Sequence, residues 1–364
     1  MEGPRPPIGK EIDQLVEFLD KELRPNEQWS IKNEYPSVFE NQNSGNIRII
    51  TEGQEVLSHA VMKPMIVKSP VGLFKIAGIG SVVTSTTHRG KGLSTKNLEA
   101  CLDAGQKHGC DFAILWTDLY DFYRRLGFEL AGSELTFELN KNINFPSVEN
   151  VKIIEGSNIS AESLQRVYNK HTVQTLRNSE DLKKGLKIPN SKIYTAWSPT
   201  NELLAYAVEG KGADLDSYIH EWGGNVSHLL HLVNHMIKTQ GRTLHIIVPS
   251  HSKNLIQNLQ KLGCKSHLGF LGMIKILNPT NLFKKIKKYS RAMGYPEFIL
   301  EYQNGKFFFG SEAEVFMTDS SADICRLIFG PSKASEIHEF DDLTKEVLEN
   351  VLPIPMWIWG WDSI

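Results

Sequence analysis

The sequence is poor in cysteine, with four in 364 residues (Cys101, Cys110, Cys264 and Cys325) and no CxxC pair. That spacing excludes a disulfide scaffold and a zinc ribbon. Neither sign of charge dominates: 40 Lys and Arg face 42 Asp and Glu, for a formal charge of −2. A global basic field suited to nucleic acid is therefore missing, and so is an acidic tail. No apolar run approaches the roughly 18 residues of a spanning helix. The opening stretch, MEGPRPPIGKEIDQLVEFLDKELR, reads as a Pro-rich arm and a helix, without the apolar region of a secretory signal. The expectation is a cytoplasmic protein with no membrane and no nucleic-acid partner. What is present is globular. Hydrophobic residues make up 41% of the chain, enough for sizeable cores, and the length suggests two or three domains.

Hydrophobic periodicity divides the chain into three segments, 1–150, 151–277 and 278–364. In the first, a helical pattern at Ile12, Leu15, Val16 and Leu19 precedes the strands IRIIT, EVLSHAVMKPMIV and FKIAGIGSVVT. A helix over about Ser94–His108, stopped by Gly109, leads to strand Phe112–Trp116 and a short helix ending at Gly127. The strand Glu134–Leu139 is expected to close this unit. The second segment repeats the order of helix, strands, helix, strand, helix, strand with different residues, which suggests a duplicated fold. The third has a basic helix, NLFKKIKKYSRAM, the strands FILEYQ and KFFFG, a helix near Ala322–Phe329 and an apolar tail, VLPIPMWIWGWDSI. The KKIKK cluster reads as a solvated helix face. The fold class expected is α+β, an α/β sandwich.

One loop carries chemistry. Strand residues Ser81–Thr84 run into Ser85-Thr-Thr-His88 and then Arg89-Gly90-Lys91-Gly92-Leu93-Ser94-Thr95, which opens a helix. Free backbone N–H groups and the helix dipole make such a loop a phosphate site, and Arg89 and Lys91 add charge. It is neither a GxxxxGK[ST] P-loop nor a GxGxxG dinucleotide loop. About thirty residues later comes Asp121-Phe122-Tyr123-Arg124-Arg125-Leu126-Gly127-Phe128-Glu129.

With both stretches in view the sequence resembles the GNAT family of acyl-CoA-dependent N-acyltransferases. Arg89-x-x-Gly92-x-Ser94 matches the family's [R/Q]-x-x-G-x-[G/A] loop, with Ser at the last small position. Phe122-Tyr123-x-x-x-Gly127-Phe128 matches its second motif. The order and separation fit, with a strand between. Within that family the chain resembles the Eis-type branch, in which a tandem pair of GNAT folds precedes a sterol-carrier-like domain. The resemblance is strongest in the first third and thinner behind it.

What the resemblance implies is transfer of an acetyl group from acetyl-CoA to a primary amine, polyamine-like, aminoglycoside-like or a lysine side chain. The alternative is a non-catalytic CoA-binding scaffold with the same fold. Residues Arg89 through Thr95, with Gly90, Lys91, Gly92, Leu93 and Ser94 between, should hold the pyrophosphate. The backbone of Val82, Val83 and Thr84 should pair with the pantetheine arm as an added strand, and one N–H there could polarise the thioester carbonyl. Tyr123 is the candidate general acid for the departing thiolate, an ordinary phenol having a pKa of about 10. The α-carboxylate of Ile364 is the candidate base, with Asp362 its rival. Asp118 is read either as a pantetheine or acceptor contact or as an N-cap. In the second copy His220, Glu221 and Trp222 stand where a loop is due, without the Arg-x-x-Gly motif. That copy should not bind CoA; Glu221 and Trp222 are tentative acceptor contacts, with structural satisfaction of a strand end as the other reading. His228, His231 and His235 form no HExxH, so no metal is expected. A homo-oligomer is consistent with the branch.

Overall fold

A computed structural model describes all residues, 1–364. The first sheet runs in the order Glu2–Arg5, Ile47–Glu52, Glu55–Ser69, Gly72–Thr84, Phe112–Leu115, Gly272–Ile276, Glu129–Ala131. The second runs Ser266–Gly269, Glu134–Leu139, Leu244–Pro249, Asp214–Gly224, Leu203–Lys211, Lys192–Trp197, Lys152–Glu155. A small antiparallel sheet, Phe298–Gln303, Lys306–Ser311 and Val315–Thr318, belongs to the third unit.

The two large sheets repeat one plan. In each, a hairpin pair leads to a long strand that makes a short parallel contact with the next. Ile76–Gly78 lie beside Phe112–Ile114 in the first sheet, and Tyr218–Ile219 beside His245–Ile246 in the second. Beyond those residues each pair diverges. The helix between each pair, Leu93–Lys107 in the first copy and Val226–Gln240 in the second, buries an apolar stripe. Leu98, Cys101 and Leu102 form it in the first, and Leu229, Val233, Met236 and Ile237 in the second.

The closing strands are exchanged. Glu134–Leu139, expected to close the first sheet, pairs instead with Leu244–Pro249 and Ser266–Gly269 in the second. In return Gly272–Ile276 enters the first sheet, antiparallel to Phe112–Leu115 and Glu129–Ala131. Boundaries at 150 and 277 therefore separate the chain segments but not the sheets. The physical reason is that both exchanged strands are short, six and five residues, and a short strand's own sequence specifies its partner weakly, so pairing is decided by tertiary fit.

The last residues join all three units. Trp357, Ile358 and Trp359 are buried, and the indole Nε1 of Trp359 donates to the Val173 carbonyl at 2.9 Å. A single apolar cluster runs from Phe74 and Phe112 through Val233 and Phe309 to this tail. Burial of that much aromatic surface fixes the chain end by the hydrophobic effect, not by secondary structure.

Candidate active site

The glycine loop has the geometry of an anion cradle. Gly92 is the residue before the helix Leu93–Lys107 and sits at φ +73°, a left-handed conformation that strains any other L-residue. No side chain caps this helix, and the backbone N–H groups of Gly90 through Thr95 donate to no other backbone group. Six consecutive donors are thus left without an internal partner at the positive end of a helix dipole. Arg89 and Lys91 are exposed beside them, and a Cβ at Gly90 or Gly92 would meet nothing within 4 Å. Leu93 is buried, so its part in the loop is played by its backbone. Ser94 Oγ is 2.6 Å from Thr84 Oγ1, which in turn lies 2.9 Å from Ser58 Oγ. Asn97 Nδ2 donates to the same Ser58 hydroxyl at 3.1 Å. These bonds tie the loop to the end of the preceding strand, a link that no sequence motif announced.

The strand edge beside that loop is open. Past Gly78 the strand Gly72–Thr84 leaves Phe112–Leu115, and a bulge interrupts its pairing with Glu55–Ser69 between His59 and Val61. Ser81 takes φ +46° there, uncommon for a non-glycine residue. Its carbonyl accepts from His59 Nδ1 at 2.7 Å. Burial pushes the pKa of His59 down to about 4, so the ring is neutral and Nδ1 carries the donated hydrogen. Val82, Val83 and Thr84 follow the bulge, with Val83 and Thr84 side chains buried. Their backbone can serve an extended ligand while the side chains pack.

Tyr123 lies in the short helix Tyr120–Arg124, 4.9 Å from Phe122 and 5.9 Å from Phe128 between ring centroids. Burial raises its phenol to about 12, which keeps it protonated at neutral pH. The turn after it is held by Lys275 of the exchanged strand, whose Nζ donates to the Leu126 carbonyl at 2.6 Å. Asp118 is exposed, and the turn before the helix is capped by Thr117, whose Oγ1 accepts from Leu119 N at 3.0 Å. The N-cap reading of Asp118 is thereby corrected.

The chain end arrives from the opposite side. A Cβ on Gly80 would stand 2.9 Å from the carbonyl carbon of Ile364 and 3.2 Å from its oxygen. The terminal residue therefore reaches the open strand edge. Lys211 holds it there: Nζ donates to Gly360 O at 2.8 Å, to Ser363 Oγ at 3.2 Å and to Ser363 O. Burial lowers Lys211 to about 7, with Asp362 and Asp214 pulling the other way.

Glu221 and Trp222 are the corrected expectations. Arg177 Nη1 and Nη2 clamp Glu221 at 2.8 and 2.9 Å, and Arg177 also bonds Asp362 at 2.8 Å. Tyr206 and the Trp361 backbone complete the shell of Glu221 at 3.1 and 3.3 Å. Burial opposes the charge on Arg177, but Asp362 and Glu221 outweigh it and raise its pKa. Neither carboxylate is free: Glu221 is consumed inside the protein, and Asp362 is a poor rival base. Trp222 is buried, with its Nε1 donating to Ile247 O at 2.9 Å. Both residues lie on a strand segment covered on each face, where a charge requires an internal partner. No group of metal-ligating residues occurs, and no helix is long and apolar enough to cross a membrane.

Two clefts flank Ile364. A polar one of about 270 Å³ contains Lys63, Arg177 and Asp362. A larger one of about 500 Å³ is walled by Trp116, Ile247, Phe270 and Trp357 and contains Lys211 and Glu134.

Comparison with known proteins agrees with this geometry. Residues 5–131 match the acetyltransferase (GNAT) domain. A probable N-acyltransferase from Enterococcus faecalis V583 superposes with a TM-score of 0.67 at 15% identity, over 97% of this chain and 96% of that one. A GCN5-related N-acetyltransferase from Anabaena variabilis gives 0.64 at 12% identity, covering 97% and 98%. Eis1 from Mycobacterium abscessus gives 0.60 at 13% identity, covering 98% and 97%. At such identity these likenesses establish the shared fold, two GNAT-like sheets in tandem. No curated protein matches the sequence.

Proposed function

We propose that this acyltransferase, whose GNAT domain spans residues 5–131, transfers an acetyl group from acetyl-CoA to a primary amine. The observation that carries the reading is convergence. The uncapped helix start, the strand edge opened past Gly78, the Tyr123 motif and the chain end at Gly80 are assembled by one sheet and the tail that meets it. Acetyl-CoA supplies the thioester acyl group. For the protein's part, Arg89 and Lys91 with the N–H groups of Gly90–Thr95 bind pyrophosphate. The backbone of Val82–Thr84 aligns the arm, and an N–H beyond the Ser81 bulge donates to the thioester carbonyl oxygen.

The acceptor amine must lose a proton to attack. The α-carboxylate of Ile364, docked at Gly80, takes it directly or through water, while Arg177 keeps Asp362 occupied. Tyr123 donates its phenol hydrogen to the departing sulfur. Its high pKa keeps that hydrogen in place until negative charge builds on sulfur. Asp118, exposed beside the Tyr123 helix, is kept as a weak acceptor-side contact. Likeness in fold to Eis1 over nearly the whole chain supports keeping the Eis-type reading, under which the third unit is sterol-carrier-like.

Calorimetric titration with acetyl-CoA tests the cofactor site. Wild-type protein should bind, and a folded Gly92→Glu variant should not, because the carboxylate strains the φ +73° position and repels phosphate. Absence of binding by the wild type would refute the reading.

A further inference from the structure

Glu134 is a carboxyl group that nothing in the mechanism above uses. It lies on the exchanged strand Glu134–Leu139, opposite Gly269 in the strand pairing. Space is reserved for it: a Cβ on Gly269 would stand 2.8 Å from Glu134 Oε1. The side chain lines the larger cleft, yet its carboxyl makes no ion pair and accepts no hydrogen bond, and burial alone raises its pKa to about 7. No charged neighbour contributes to that rise. Of the other ionisable groups on this cleft, Asp214 is engaged by Arg24 at 3.1 Å and by the Tyr35 hydroxyl. His220 Nε2 is 3.0 Å from Gly210 O, and burial pushes the ring down to about 3. Tyr218 lines the exposed rim.

The cleft therefore has a polar reaction end at Gly80 and Ile364 on the first sheet, an apolar wall of Trp116, Ile247, Phe270 and Trp357, and an unpaired carboxyl carried by a strand of the second sheet. That pattern is complementary to a molecule with an amine at one end, an aliphatic middle and a second protonated nitrogen. A hydroxyl-rich acceptor would leave its oxygens against the apolar wall, at a desolvation cost. We infer that Glu134 receives the distal ammonium of a linear aliphatic diamine whose other nitrogen is acetylated. The inference rests on the acetyltransferase reading and narrows its acceptor.

The test is calorimetric titration of CoA-saturated protein with 1,6-diaminohexane, 1,4-diaminobutane and n-hexylamine at pH 7. One diamine should bind about 10-fold or more tighter than n-hexylamine, as expected for a charge-assisted contact in a desolvated cleft. In Glu134→Gln that ratio should fall to within about 2-fold of unity. A second readout is independent of activity. With a pKa of about 7, Glu134 is about half protonated in the free protein, and binding a cation should release about half a proton. The release is seen as a dependence of the heat on the buffer's ionisation enthalpy, and it should vanish in Glu134→Gln. Equal diamine and monoamine affinities in the wild type, or a ratio unchanged in Glu134→Gln, would overturn the inference while leaving amine acetylation standing. Binding of CoA with no binding of any amine would overturn both, and Glu134→Asp with intact CoA affinity guards against a folding artefact.

Discussion

Gly80→Ala puts the docking of the chain end to a direct test. The new methyl carbon would sit 2.9 Å from the Ile364 carbonyl carbon and 3.1 Å from its Cγ1, against an ordinary contact of 3.4–4 Å. Gly80 does not have positive φ, so alanine strains no backbone angle and the whole effect is steric. Relieving the overlap requires the terminal residue to move by several tenths of an ångström or more. Overpacking of this kind costs about 1–3 kcal/mol. A displacement of about 1 Å in a catalytic group costs about 10²-fold in rate, which corresponds to about 2.7 kcal/mol of barrier. The expected result is a kcat about 100-fold down, with a midpoint of urea unfolding only modestly lowered. Removal of Ile364 should reproduce the rate loss. The diagnostic measurement is the double change: once Ile364 is gone the Ala methyl has nothing to strike, so Gly80→Ala should then cost almost nothing in either assay. Additive losses, or a fully active Gly80→Ala enzyme, would show that the chain end does not work from this position.

Tyr123→Phe should lower kcat by about 10²-fold or more, within the range for lost general-acid catalysis, while calorimetry shows unchanged acetyl-CoA affinity. Arg177→Met should be destabilising by about 3–5 kcal/mol, because it strands Glu221 and Asp362 as buried charges; chemical denaturation would reveal it, and a loss below about 1 kcal/mol would refute the pairing. Stability should also fall with acid. His59 and His251 are pushed down to about 4 and His171 and His220 to about 3, in each case chiefly by burial. The unfolded chain, with a histidine pKa of about 6.5, then binds protons that the folded one refuses. Stability is therefore full above pH 6.5 or so and declines toward pH 3–4, by up to about 1.4 kcal/mol per pH unit per histidine. A flat profile between pH 6.5 and 4.5 would contradict neutral buried rings.

Local geometry was readable because it is local. Gly90 and Gly92 are needed where they stand, and the Phe122-Tyr123 motif sits on the helix that its own residues form. The destination of Glu134–Leu139 was not readable: the segment ELTFEL would pair with either sheet, and the choice is made by Leu244–Pro249, more than a hundred residues on. Glu221 shows the same limit. Beside Trp222 it suggests an acceptor pocket, but its partner Arg177 lies in a loop with no motif of its own. The signal that could have warned of this is a burial argument. A Glu flanked by Ile219, His220 and Trp222 on a strand covered from both sides must find a cation, and Asp362 in an otherwise apolar tail must find the same one.

That shared arginine indicates what became of the second copy. Its sheet keeps the diverging parallel pair whose counterpart in the first copy is proposed above as the donor's site. Here the opening is spent differently. Trp222 Nε1 bridges to Ile247 O beyond the last ladder residues, at 2.9 Å. Trp359 meets Trp222 edge-on and His171 at a tilt, with ring centroids 5.0 and 4.0 Å apart. Arg177 joins Glu221 of this sheet to Asp362 of the tail, and Lys211, at the end of a neighbouring strand, grips the residues just before Ile364. The first of these contacts closes the gap between the two strands, and the others fix the path of the chain end. The second copy acts as a mount: through Lys211 it holds the tail so that Ile364 lies at Gly80 on the first copy's strand edge, the edge proposed above to align the thioester. The reciprocal strand exchange adds a second tie between the copies, since Lys275 reaches back from the second segment to brace the turn behind Tyr123. Under the mechanism proposed above, the acid Tyr123 and the base at Ile364 are both braced by residues from outside the first copy, so a duplication that gives up one site can still position the groups of the other.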